Sequence, residues 1–143
     1  MVNKRNQNRN QDKLVHNKLF LAVVALCLLF AIIWPLAYVN HLLASTMAED
    51  YVIGAASILP CYWLYEEVGQ ILVKNNTPEN PYHDWISMYS SHDFESGVRM
   101  AVKFVERAFE EAGPQARILA AQAYMTSCIY EYEFFNQAHR ALR

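Results

Sequence analysis

From His41 to the C-terminus no window alternates apolar and polar residues long enough to build a strand, and the chain-breaking residues instead cut it into helix-length pieces. That pattern predicts an all-α domain, a bundle of antiparallel helices. Residues 42–48 continue a helix that begins upstream. Residues 51–73 follow, with Pro60 in the interior, where it removes one N–H and frees the carbonyl of Ala56. The run from Lys74 to Pro81, KNNTPENP, is a loop. Residues 82–89 read as a short aromatic helix, and Ser90-Ser91-His92-Asp93 supplies N-caps for the next one, 94–111. Val98, Val102, Val105 and Phe109 give that helix a single apolar stripe. Gly113-Pro114 stops it and opens the last and longest helix, 115–142. Four Gly and five Pro in 143 residues are too few for an all-β sandwich.

The N-terminal segment has a different character. Residues 1–18 carry Lys4, Arg5, Arg9, Lys13 and Lys18 against Asp12, a net of +4. The remaining residues carry seven basic and thirteen acidic groups, a net of −6. Rich in Asn and Gln and without apolar periodicity, 1–18 is expected to be a disordered basic tail. Residues 19–39, LFLAVVALCLLFAIIWPLAYV, contain no charge and as a helix would be about 31 Å long, close to the thickness of a bilayer core. Basic residues before the run and Glu49 and Asp50 after it suit a membrane anchor with a cytoplasmic N-terminus. A helix buried all round in a globular core, or a signal peptide, reads the same residues differently.

Composition excludes several functions. A net charge of −2 argues against nucleic acid as a partner. Cys27, Cys61 and Cys128 are odd in number and irregular in spacing, so neither a disulfide framework nor a C-x-x-C zinc site is expected. The five His never form H-x-x-x-H, no Glu-x-x-His pair occurs, and there is no Gly-rich phosphate loop, so no metal or cofactor is expected.

Three features could carry chemistry. Cys61 follows the helix-interior Pro60 and shares a face with Tyr65 four residues on. There it is either a nucleophile, which needs a thiolate near neutral pH, or a small packing residue. Glu131 lies in Tyr-Glu-Tyr-Glu-Phe-Phe; it and Glu133 point roughly 200° apart on a helix, so only one can face inward. Inside an aromatic shell, Glu131 would suit general acid–base work. Tyr82, Trp85 and Tyr89 form one helical stripe, a core face or the wall of a pocket for a flat polar heterocycle. Cys27 and Cys128 read as packing residues.

The segments SILPCYWLYEEVG (57–69), NPYHDWISMY (80–89) and YEYEFF (130–135), in this order and spacing, resemble the TenA family, the thiaminase II or aminopyrimidine aminohydrolases of thiamine salvage. The resemblance runs from about Tyr38 to Arg143 and implies a helical bundle of the haem-oxygenase-like type, a homo-oligomer and a cytoplasmic catalytic domain. The implied reaction replaces the amine, or the thiazolium of thiamine, on an aminopyrimidine with water. Residue by residue, Cys61 matches the nucleophile that adds to the ring, and Glu131 the carboxylate that shuttles protons. Tyr65 and Tyr89 match phenols near the thiol and ring, Phe134 a stacking wall, and Tyr38 a further pocket tyrosine.

The N-terminal helices of full-length members, with an Asp and a Tyr that hold the pyrimidine, have no counterpart upstream of Tyr38. The expectation is therefore an N-terminally incomplete TenA-like domain over 40–143, preceded by an apolar helix. Its function is then aminopyrimidine or thiamine hydrolysis. The alternatives are a catalytically inactive truncated relative or a membrane-anchored pyrimidine-binding module.

Overall fold

The helix Tyr51–Leu72 is the pivot of the domain and packs along the helices Pro114–Ala141, His92–Glu111 and His83–Tyr89. The computed structural model describes residue 21 and residues 33–141. By contacts the chain divides into two units, Met1–Ala37 and Tyr38–Arg143. Of the first, residue 21 and residues 33–37 are described, all helical. The expected basic tail and most of the apolar run at 19–39 lie outside the described residues. Among those described, no helix is long and apolar enough to cross a membrane.

The second unit is all-helical, as its periodicity predicts. It begins with α1, residues 38–46, and turns into α2, Tyr51–Leu72, at Asp50. Pro60 sits within α2 without ending it. A 3-10 turn, Val73–Asn75, leads into the loop, and α3 covers His83–Tyr89. Helix α4, His92–Glu111, starts two residues before the expected 94 because Ser91 takes the cap, its hydroxyl accepting from the Phe94 N–H at 3.2 Å. Helix α5 spans Pro114–Ala141, with Pro114 at its first position.

The core is built from small residues. Val52, Ile53 and Ala56 of α2 pack with Ala108 of α4 and Ala116, Ala120 and Ala123 of α5. Alanines let the helix axes approach, but each buries little apolar area. The largest fully buried side chains are Val52, Pro60, Ser57 and Ser127. Close approach recurs at Gly69, where a Cβ would fall 2.7 Å from the Tyr89 carbonyl carbon and 2.9 Å from the Ser90 nitrogen. The absent side chain thus lets α2 lie directly on the end of α3 and fixes where Tyr89 projects.

Candidate active site

Helical spacing brings one face of α5 against α1 and α2. Ser127, Glu131 and Phe135 follow at four-residue steps and lie above one another. Glu131 is the inward member of its pair, 2% exposed, whereas Glu133 is half-buried and accepts from the Asn136 side chain at 3.4 Å. A buried carboxylate needs donors. Glu131 has one in Tyr38 of α1, whose hydroxyl donates to Oε1 at 2.8 Å. Burial first, then the hydrogen bond and charge of Glu131, push the Tyr38 phenol far up, so it remains a donor at any working pH.

Cys61 stands one residue beyond the buried Pro60, on the face of α2 turned to this carboxylate, and its side chain reaches solvent. Burial of the sulfur, and then the Glu131 charge, push the thiol up to about 11. Against the expectation of a thiolate near neutral pH, both influences favour the thiol form of Cys61. Tyr65, one turn further along α2, is pushed up to about 12 by burial and by the same Glu131 charge. Cys61, Tyr38, Tyr65 and Glu131 therefore form one electrostatic cluster.

Aromatic rings wall the cluster on one side. Tyr65 meets Tyr89 at 5.2 Å between ring centroids, Trp85 at 6.0 Å and Phe135 at 5.8 Å. Trp85 and Tyr89 are 4.6 Å apart, and Phe94 meets Tyr89 edge-on at 4.9 Å. These offset and edge contacts are the arrangements aromatic quadrupoles favour. Phe134, expected as the stacking wall, is 51% exposed and turns its ring edge-on to Phe135. Of the neighbouring pair it is Phe135 that meets Tyr65.

Sequence reasoning passed over His41 and, while placing Ser127 on the face of Glu131, did not count it among the site residues. His41 lies three residues beyond Tyr38 on α1, and its Nε2 is 3.0 Å from the Ser127 hydroxyl and 3.2 Å from the Ala123 carbonyl oxygen. Tyr130 stacks on Tyr38 at 5.1 Å and tilts against His41 at 5.7 Å. The available signal was spacing: Ser127 falls one turn before Glu131 and Phe135 one turn after. Cys128 is half-buried near Tyr124, and its thiol is also raised, chiefly by burial.

The helical domain thus holds a thiol and a buried carboxylate beside a sheath of aromatic rings. The chain belongs to the TENA/THI-4/PQQC family, which it matches over residues 36–141. It is 50% identical over 105 residues to a thiamine biosynthesis multifunctional protein ThiED of Corynebacterium efficiens, covering 73% of this chain and 14% of that protein. It is 29% identical over 104 residues to an aminopyrimidine aminohydrolase of Bacillus subtilis, covering 73% of this chain and 44% of that enzyme. Against an aminopyrimidine aminohydrolase of Helicobacter pylori, identity is 25% over 107 residues, 73% of this chain and 49% of the enzyme. The chain thus spans under half the length of these relatives.

Proposed function

We propose that this domain hydrolyses aminopyrimidines through Cys61 and Glu131, a reaction of thiamine salvage. The observation that carries the reading is the buried Glu131 carboxylate, anchored on Oε1 by Tyr38 and bearing electrostatically on the Cys61 thiol. The family and its aminohydrolase relatives supply the substrate class.

The chemistry closes on these two groups. As the Cys61 sulfur forms a bond to a ring carbon, its proton passes to Glu131. The electron pair gained by the ring expels the amine from the exocyclic methylene carbon, and Glu131 gives the departing nitrogen its proton. Water then adds to that carbon and returns a proton to the carboxylate. The ring electrons expel the sulfur, which recovers the proton from Glu131. The sum is amine plus water to alcohol plus ammonia, with both residues restored. A thiol raised to about 11 suits this order, because its proton is transferred only when substrate is present to accept the sulfur. Tyr38 holds the carboxylate in place, while Tyr65, Tyr89 and Phe135 offer faces for the ring.

The test is a mutant cycle on an aminomethyl-aminopyrimidine. Cys61→Ala and Glu131→Gln should each remove at least about 100-fold of kcat, with the double variant little worse than either single, because the two act in one proton path. Additive losses would break the pair into independent contributions and overturn the mechanism. Binding of the pyrimidine with no turnover above Cys61→Ala would favour a binding module instead, a reading to which the solvent-open Cys61 also lends itself.

A further inference from the structure

We propose that His41 and Ser127 are positioning residues that clamp α1 to α5 one turn from Tyr38 and so aim the Tyr38 hydroxyl at Glu131. This rests on the reading of Glu131 as the proton-shuttling group, but the geometry stands apart from it. All the groups lie on two facing helix stripes. Tyr38 and His41 are three residues apart on α1, and Ala123, Ser127 and Glu131 follow at four-residue steps on α5.

The donor at His41 follows from the chemistry of its partner. The Ala123 carbonyl can only accept, so the His41 Nε2 that lies 3.2 Å from it carries the proton. The same N–H is shared with the Ser127 oxygen at 3.0 Å. Ser127 is fully buried and takes His41 as its partner across the α1–α5 seam. Tyr38 lies one turn from His41 on the same stripe of α1, so this clamp sets where Tyr38 meets α5, and its hydroxyl donates to Glu131 Oε1 at 2.8 Å. Tyr130, stacked on Tyr38 and tilted on His41, keeps the two rings in register.

The consequence reaches Cys61. A Tyr38 hydroxyl held on Glu131 draws off part of the carboxylate's negative potential, and that potential disfavours the Cys61 thiolate. Loosening Tyr38 should therefore slow Cys61 alkylation, whether or not the protein turns over substrate.

The experiment measures the iodoacetamide alkylation rate of Cys61 in the full chain at one fixed pH, read by mass spectrometry. Tyr38→Phe should slow it about threefold, the equivalent of half a pKa unit. Ser127→Ala and His41→Leu should each copy that change, and combining either with Tyr38→Phe should add nothing further. His41→Gln, which can present a nitrogen donor where Nε2 stood, should restore the wild-type rate. A general loosening of the fold would not give rescue by Gln or saturation with Tyr38→Phe. The proposal is overturned if Ser127→Ala and His41→Leu leave the rate unchanged while Tyr38→Phe alters it, or if their effects add. Absence of turnover in the wild-type chain would sink the hydrolase reading alone, since this cycle needs no substrate.

Discussion

The charge on Glu131 has two opposing effects on Cys61: it offers a place for the thiol proton and raises the cost of losing it. The balance in the free protein favours the thiol. Alkylation of Cys61 should accordingly keep rising with pH through about 11 rather than levelling near the ordinary 9.0. Glu131→Gln removes a negative charge that opposes the thiolate, so the profile should move down toward 9.0, leaving the part due to burial. A wild-type profile that levels near 9.0, or one that Glu131→Gln leaves in place, would contradict this electrostatic account. The local pattern alone did not choose between Glu131 and Glu133, because both have aromatic neighbours; the family resemblance pointed to Glu131. The inward choice follows from Tyr38 and the α1 face, which the local pattern of α5 does not contain. Phe134 and Phe135 illustrate the same gap: either can lie near the Glu131 side of a helix, and only packing on Tyr65 selects Phe135.

At the scale of elements, the breakers were informative because each has a local mechanism. Gly113-Pro114 separates α4 from α5, and Ser91 caps α4, from side-chain and backbone chemistry within a few residues. Ser91→Ala should cost about 1 kcal/mol in chemical denaturation through the lost cap. The role of Gly69 is non-local and could not be read. Its Cβ-free face receives the backbone of Tyr89 and Ser90, and backbone cannot swing aside as a side-chain tip does. Gly69→Ala should therefore destabilise by about 1–3 kcal/mol. It should also push Tyr89 off Tyr65 and Trp85, raising KM for an aminopyrimidine. An alanine variant with wild-type stability and KM would show that α3 is free to shift.

Among the described residues, the buried side chains are mostly small and many large apolar ones are exposed. Met100 is 68% exposed and Phe104 56%, with Tyr51 and Phe104 rings 6.1 Å apart on the outside of the domain. Apolar surface of this kind finds a partner. The chain should self-associate, and its melting midpoint should rise with protein concentration, as mass action requires when the assembly and not the monomer is the stable form. A concentration-independent midpoint for a monomer would contradict that.

Whether the thiol and carboxylate of this family domain form a working hydrolytic pair is read from ammonia release from 4-amino-5-aminomethyl-2-methylpyrimidine by the full chain. Catalytic release is expected, with one hydroxymethyl product per ammonia, abolished in Cys61→Ala and unaffected in Cys128→Ala. Ammonia release that persists at the wild-type rate in Cys61→Ala, or none from the wild-type chain, would contradict it.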